Sequence, residues 1–343
     1  MKKGVVIGFS ILIVVVLFIF FYLLFSKDYS CNDGTRYNEC SNIKPYFCSN
    51  GVLIEKASIC GCDKNLGIVS DTCVSSYQNG PKNITLHYVL RGEKREINFT
   101  VYKGMTDYLS KIPRYIESVQ NPTLLDFKLR LIDEEQQRGL LLPLVVQIES
   151  LTKDKTDQAR IAISIIQNIP FGNSTNSLKF GNIYVEYQRY PYEVLYDNKG
   201  ICSEKSALLI FLLREMGYGT SSIYYNLENH EAVGIECPKE KGVNNSSYCF
   251  VETTGPSIIT DDETEYFGVD RQLSSIPKVI NISTGISLEK NLYEYKDAEI
   301  LINVRKDMKV NGEINPLQYF EFQNLRGKYG LIVFNKTYNS YTF

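Results

Sequence analysis

Nine cysteines are the feature that most limits how this 343-residue chain can fold. Six of them lie between Cys31 and Cys73, and two more, Cys237 and Cys249, flank a short polar segment. A segment as short as that between Cys31 and Cys73 cannot bury a stabilising core, so we expect three disulfides to hold it together. A bridge between Cys237 and Cys249 would leave Cys202 as the one unpaired thiol.

The six clustered thiols can pair in several ways, and the sequence does not choose among them. A zinc site is the alternative. Cys60 and Cys62 are spaced C-x-C and no histidine lies in the segment, so the residues favour disulfides over metal. The segment resembles short disulfide modules of archaeal surface proteins, which predicts a spacer or a small binding module over residues 28–78.

An almost wholly apolar run covers residues 4–25. As a helix at about 1.5 Å per residue it would cross a bilayer of roughly 30 Å. A cleaved signal peptide is the alternative, but its apolar part is shorter and ends in small residues, whereas this run ends in LLFSKDYSC. We therefore expect a single transmembrane helix in residues 1–27, with Lys2 and Lys3 cytoplasmic.

This topology predicts a single-pass protein of the cell membrane whose main domain is extracellular. Potential glycosylation sequons agree with that location, and they occur at Asn83, Asn98, Asn173, Asn244, Asn245, Asn281 and Asn335. A net charge of -2 and 44% hydrophobic residues describe an ordinary globular domain without the basic surface that nucleic-acid binding requires.

Cys202 begins a long apolar pattern in YDNKGICSEKSALLIFLLREMGYG. The run from Ala207 to Leu213 is apolar on all sides, which predicts a buried helix ending near Gly217. Cys202 would then lie at the helix N-terminus, where backbone N–H groups and the helix dipole favour a thiolate and can bind an oxyanion.

Two predicted strands, HEAVGIEC and SYCFVETT, carry a histidine and an acid after this helix. If they pair as antiparallel neighbours, His230 and Glu252 point to the same face. His230 could then take the proton of the Cys202 thiol while Glu252 fixes the tautomer of the ring. The second histidine, His87, lies in an alternating pattern typical of a half-exposed strand.

The expected disulfide conflicts with this arrangement. If Cys237 and Cys249 face each other in register, Gly234 rather than His230 lies opposite Glu252, which leaves His230 about 13 Å away along the strand. Either a bulge restores the triad, or the disulfide lies in a loop that folds back, or one of the two predictions is wrong. We give the triad more weight.

The segment from about Glu186 to Pro256 resembles the transglutaminase-like superfamily in its archaeal membrane-anchored branch. The matching pieces are YPYEVL, then GxC followed by K-S-x-L-L, H-x-A-V-G and V-E-T-T. The resemblance implies a papain-like α+β fold, with the nucleophile-bearing helix packed on an antiparallel sheet, and a triad of Cys202, His230 and Glu252. Ile201 departs from the acid common before the nucleophile, and the chain lacks the Trp that often assists animal transglutaminases, which favours hydrolysis over cross-linking.

We therefore expect five regions: the anchor (1–27), the disulfide-rich module (28–78), a strand and helical lead-in (79–150), the catalytic core (151–260) and a β-rich C-terminal region (261–343). The acidic run at 261–265 is expected to be a solvated loop rather than a calcium site. The predicted function is a cysteine hydrolase of peptide, protein or cell-envelope amides that needs no cofactor or metal. The alternative is a catalytically silent domain that binds a partner.

Overall fold

The computed structural model describes residues 29–64, 66–112, 122–173, 177–180, 183–186, 188–263 and 273–332. These residues form an α+β fold that contains an antiparallel four-stranded sheet and antiparallel two-stranded hairpins. The chain divides into two compact units. One ends at Cys62 and also contains residues 68–72, while the other contains residues 63–67 and everything from Cys73 onwards.

The first unit is small and held by disulfides. It contains the hairpin of β1 (Tyr46–Ser49) and β2 (Val52–Glu55), followed by the single turn of helix α1 (Ala57–Cys60). Disulfides join Cys31 to Cys48 and Cys40 to Cys60. Cys62 and Cys73 are disulfide-bonded as well, so the expectation that all six clustered cysteines form disulfides is confirmed.

The first half of the second unit contains a long hairpin followed by a series of helices. Two short strands, β3 (Gly67–Val69) and β4 (Thr72–Val74), come before this hairpin in the chain. The elements of the first half are β5 (Pro81–Leu90), β6 (Glu93–Tyr102), α2 (Lys103–Leu109), α3 (Leu124–Ile132), α4 (Glu135–Leu151), α5 (Lys155–Asn168), β7 (Ser177–Phe180), β8 (Ile183–Glu186) and α6 (Pro191–Asp197).

The centre of this unit is the helix that begins at Cys202. Helix α7 (Cys202–Glu215) is buried from Glu204 to Leu213, because its run of apolar side chains leaves no face suited to water. It packs against α5 and α6 and against two strands of the main sheet, β9 (Thr220–Tyr225) and β10 (His230–Glu236).

The main sheet has the order β11-β10-β9-β12, where β11 is Tyr248–Val251 and β12 is Lys278–Ser283. In the pairing of β10 with β11, Val233 lies opposite Val251 and Ile235 opposite Cys249. A buried cluster fills one side of this sheet with Ile223, Tyr225, Ala232, Val243, Phe250 and Leu273. This packing fixes β10, which begins at His230, relative to β11, which Glu252 directly follows.

The predicted transmembrane helix over residues 4–25 lies outside the described residues. Within the described ranges, no helix combines the length and the apolar character needed to cross a bilayer. Helix α8 (Tyr293–Asn311) carries charged residues along its length, and the apolar run of α7 is only about two turns. The fold class that includes a spanning helix is therefore corrected to an α+β fold, and the single-pass cell-membrane localisation is likewise not supported.

The C-terminal region also differs from the β-rich expectation. Its described part contains one strand, β12, and two helices, α8 and α9 (Pro316–Tyr329). The buried positions Ala298, Leu301 and Val304 recur every third residue, which is a helical period.

The acidic run is not simply a solvated loop. Asp261 is 1% exposed and forms a two-pronged ion pair with Arg305 of α8, and Glu263 pairs with Lys306. The first acid of this run therefore anchors α8 to the segment after β11.

Candidate active site

Cys202 is the free cysteine of the chain, and its side chain is half-buried. It is the first residue of α7, and the helix begins there because Glu204 reaches back to accept a hydrogen bond of 3.0 Å from the backbone N–H of Ile201. The thiol therefore lies at the N-terminal edge of a buried helix, as the sequence predicted.

His230 and Glu252 form a buried ion pair beside this helix. The Nε2 atom of His230 lies 2.8 Å from Oε2 of Glu252, and both side chains are at most 1% exposed. The Cys202 side chain is a further hydrogen-bonding partner of His230. Because Nε2 is engaged by Glu252, we assign the nitrogen that faces the thiol as Nδ1. The structure thus brings all three predicted residues together.

The other oxygen of Glu252 is bound by groups that follow it in sequence. Oε1 accepts hydrogen bonds from the backbone N–H groups of Thr253 (3.0 Å) and Thr254 (2.7 Å), and from the Thr254 hydroxyl (2.6 Å). These donors satisfy a carboxylate that burial would otherwise strongly disfavour. They also leave Oε2 directed at His230.

The Cys237–Cys249 disulfide and the His230–Glu252 pair are both present in the structure. The register of β10 and β11 lies midway between one that places His230 opposite Glu252 and one that places Cys237 opposite Cys249. One step beyond the Val233–Val251 pair, Ala232 lies opposite Glu252, so His230 is a diagonal neighbour two residues away. At the other end of the strands, Ile235 lies opposite Cys249, and Cys237 bonds to Cys249 diagonally with a Cα–Cα distance of 5.7 Å. The disulfide and the contact between His230 and Glu252 are therefore compatible.

Electrostatics favour a charged His230–Glu252 pair. Burial lowers the pKa of His230, but the Glu252 carboxylate and hydrogen bonding with Cys202 raise it more, to about 10. Burial raises the pKa of Glu252, yet the charge of His230 and the bonds from His230 and Thr254 bring it below its ordinary value. The imidazole is therefore cationic at neutral pH, which suits a partner of a thiolate.

Side chains around the site tie α7 to both strands. The Ser206 hydroxyl contacts the carbonyl of Glu231 (3.3 Å) and the hydroxyl of Thr253 (3.2 Å). The Thr253 hydroxyl in turn donates to the carbonyl of Cys202 at 3.4 Å. On the other side, Nε2 of Gln167 donates to the carbonyl of Glu252 at 3.0 Å. These contacts hold the thiol and the carboxylate in fixed relation.

Sequence reasoning missed a buried lysine next to these residues. Lys205 is 0% exposed, and its Nζ donates to the carbonyls of Ile169 and Thr254. The sequence did contain a signal, since Lys205 lies two residues before the apolar run from Ala207 to Leu213 in the same helix. A lysine at such a position has to be buried, which is rare unless its amine is bonded.

The remaining histidine lies elsewhere. His87 on β5 is exposed, and its Nδ1 lies 3.7 Å from a carboxylate oxygen of Glu96, which agrees with the expectation of a half-exposed strand residue. In the part of the chain that the structure describes, no group of three or more His, Cys, Asp and Glu side chains is arranged to hold a metal.

No family model and no curated protein matches the chain. Among solved structures, it is similar to calcium-bound LapG of Legionella pneumophila, with 14% identity and a TM-score of 0.26. The match covers 52% of this chain and 98% of LapG.

Proposed function

We propose that this chain is a cysteine hydrolase that cleaves amide bonds of peptides or proteins, with Cys202 as nucleophile, His230 as general base and acid, and Glu252 as the group that orients His230. The observation that carries the proposal is the buried 2.8 Å contact between His230 and Glu252 beside the free cysteine of the chain.

The choice of nucleophile follows from the state of the cysteines. The other eight form disulfides and cannot attack a carbonyl. Cys202 is free, is half-buried rather than sealed in the core, and has a histidine within hydrogen-bonding reach. A nucleophile that contacts a base, with that base oriented by a third group, is the arrangement that covalent catalysis requires.

The proposed reaction has two steps. The Cys202 thiolate attacks the amide carbonyl, the C–N bond breaks, and the His230 imidazolium gives its proton to the leaving amine. Water then attacks the resulting thioester with His230 accepting its proton, which releases a carboxylic acid and restores the thiolate–imidazolium pair. Glu252 keeps its charge throughout and stabilises the imidazolium.

Alkylation of Cys202 by iodoacetamide tests the nucleophile directly. An ordinary thiol with a pKa of about 8.5 is about 3% thiolate at pH 7, so a thiolate held by His230 should react about thirtyfold faster there. The rate is followed by mass spectrometry of the digested protein. We expect the fast alkylation of Cys202 to be lost in His230→Ala and retained in His87→Ala, which removes the exposed histidine.

Acylation by p-nitrophenyl acetate tests the second half of the reaction. A hydrolase should release nitrophenol in a burst, carry an acetyl group on Cys202, and lose it with time as water deacylates the thioester. If the wild type and His230→Ala are alkylated equally slowly and no acetyl-enzyme forms, the hydrolase assignment is wrong and a binding domain is the better interpretation.

A further inference from the structure

We propose that Lys205 is a positioning residue of the site whose positive charge stabilises the Cys202 thiolate and the Glu252 carboxylate together. This inference rests on the proposed function, because it concerns the reactive state of the same triad. It assigns a role to a side chain that neither attacks the substrate nor exchanges a proton with it.

The position of Lys205 links the two halves of the site. It lies three residues after Cys202, which is about one turn along α7. Its Nζ donates to the carbonyl of Thr254 at 3.4 Å, and Thr254 itself binds Glu252 through its N–H and its hydroxyl. The second acceptor, the carbonyl of Ile169, follows directly after α5. One amine thus connects the nucleophile helix, α5 and the residues that hold the carboxylate.

The net charge of the site indicates a second role for the Lys205 amine. A thiolate, an imidazolium and a carboxylate carry a net charge of minus one, and an uncompensated buried charge is costly. Glu252 and Cys202 are the titratable groups that act on Lys205, the first from the end of β11 and the second from its own helix. From α5 it receives only a neutral carbonyl, and the nearby Glu204 is already paired with Arg189 at 2.9 Å. Lys205 is therefore the cation placed to balance the triad.

The protonation of Lys205 is itself finely balanced. Burial lowers its pKa to about 7, while the negative charges of Glu252 and Cys202 act to raise it. By reciprocity, any stabilisation that the thiolate gives to the ammonium is returned by the ammonium to the thiolate.

Two substitutions separate the charge from the hydrogen bonds. Lys205→Met keeps a side chain of similar length but removes both the positive charge and the hydrogen bonds. Lys205→Gln removes the charge but keeps an amide that can donate hydrogen bonds to carbonyls. We measure the rate of Cys202 alkylation by iodoacetamide from pH 5 to 10 in each variant. Because a nearby opposite charge shifts a titration by about one unit or more, the alkylation profile of both variants should be displaced by about one unit to higher pH, with rates equal to that of wild type at high pH.

A matched control is Lys128→Met. Lys128 is a second buried lysine, bonded to the Glu231 carboxylate, and it should change stability without moving the alkylation profile. A wild-type profile in Lys205→Met and Lys205→Gln would overturn the proposal. A wild-type profile in Lys205→Gln alone would also overturn it, because the hydrogen bonds and not the charge would then be what matters.

A second measurement does not depend on whether the Lys205 variants fold. The ammonium of Lys205 can be titrated by NMR in the wild-type protein and in Cys202→Ala, which cannot form a thiolate. We expect the midpoint to fall in Cys202→Ala, and an unchanged midpoint would contradict the coupling. The hydrolase assignment is judged separately, by comparing wild type with His230→Ala and by acylation, so that the failure of one idea is distinguishable from the failure of the other.

Discussion

Arg189 and Glu204 form an ion pair of 2.9 Å in which both side chains are only 2% exposed, directly beside the start of the helix that carries Cys202. Glu204 Oε1 also accepts the backbone N–H of Arg189, and Oε2 accepts the N–H of Ile201. One carboxylate thus joins the segment before α6 to the first turn of α7. The position of the thiol depends on an electrostatic contact as well as on apolar packing.

Glu204→Ala should therefore destabilise the protein strongly. Among the described residues it leaves the buried Arg189 guanidinium with only the partly exposed Asp197 as a charged partner, and breaking one side of a buried pair costs about 3 kcal/mol or more. The free energy of unfolding in urea measures the loss. The control is Glu299→Ala, which removes an acid paired with Lys241 at the surface and should change stability by less than about 1 kcal/mol. Equal effects of the two variants would show that the buried pair has no special role.

Glu252→Gln should abolish the fast alkylation of Cys202 while preserving the fold. The amide oxygen can still accept the donors from Thr253 and Thr254, so the amide NH₂ is turned towards Nε2 of His230. Nε2 must then accept a hydrogen bond, which moves the ring proton to Nδ1 and prevents the ring from taking the thiol proton.

The measurement for Glu252→Gln is the alkylation rate at pH 7, which should fall about thirtyfold to that of an ordinary thiol. Glu231→Gln is the matched control, because Glu231 is also a buried acid but bonds Lys128 and Ser222 instead of His230. A Glu252→Gln variant that reacts as fast as wild type would remove Glu252 from the mechanism.

The helix that carries Cys202 was predictable because its evidence is local. Seven apolar residues from Ala207 to Leu213 can only be buried, and an odd cysteine at the start of such a helix is visible in the sequence. The diagonal meeting of His230 with Glu252 was not predictable, because a shift of two residues in strand register preserves the alternation on which the expectation rested.

Two other features, the helical C-terminal region and the buried position of Lys205, were not predicted from the sequence for related reasons. The stretch from Ala298 to Val304 has apolar residues at every second position and at every third, so its pattern fits a strand and a helix equally well. The role of Lys205 depends on a carbonyl of Ile169, which lies 36 residues earlier in the chain. Contacts of this kind are set by the packing of α5 on α7, and no local pattern encodes them.

The Cys237–Cys249 disulfide should contribute to stability more than to reactivity. It closes a loop whose ends are 12 residues apart, for which chain entropy predicts about 3 kcal/mol. It lies at one end of the β10–β11 pair, whereas His230 and Glu252 lie at the other end.

We therefore expect the double variant Cys237→Ser/Cys249→Ser to unfold at lower urea concentration and to alkylate Cys202 at the wild-type rate under native conditions. A large fall in alkylation with little change in stability would mean that the bridge sets the geometry of the site. Cys31→Ser/Cys48→Ser, which removes a disulfide of the other unit, is the control for loss of a bridge.

The pH dependence of stability should reveal His230 and Lys205 as opposing groups. The pKa of His230 is raised to about 10, so its contribution is present below about pH 6.5 and is lost as the pH rises towards 10. The pKa of Lys205 is lowered to about 7, so the folded protein gives up this proton before the unfolded chain does, and stability rises between about pH 7 and 10.5. Each slope is at most about 1.4 kcal/mol per pH unit, and the two offset each other between pH 7 and 10.

Urea unfolding at pH 7, 8 and 9 tests this balance in proteins that keep Cys202, because the Cys202 side chain contributes to the pKa values of both His230 and Lys205. When both His230 and Lys205 are present, their combined contribution to the free energy of unfolding should stay nearly constant over this pH range. Lys205→Met should make it fall with pH, because only the His230 contribution remains, and His230→Gln should make it rise. Parallel curves for all three proteins would mean that neither group titrates as its surroundings imply, since removing either one must then leave the proton balance between the folded and unfolded states unchanged.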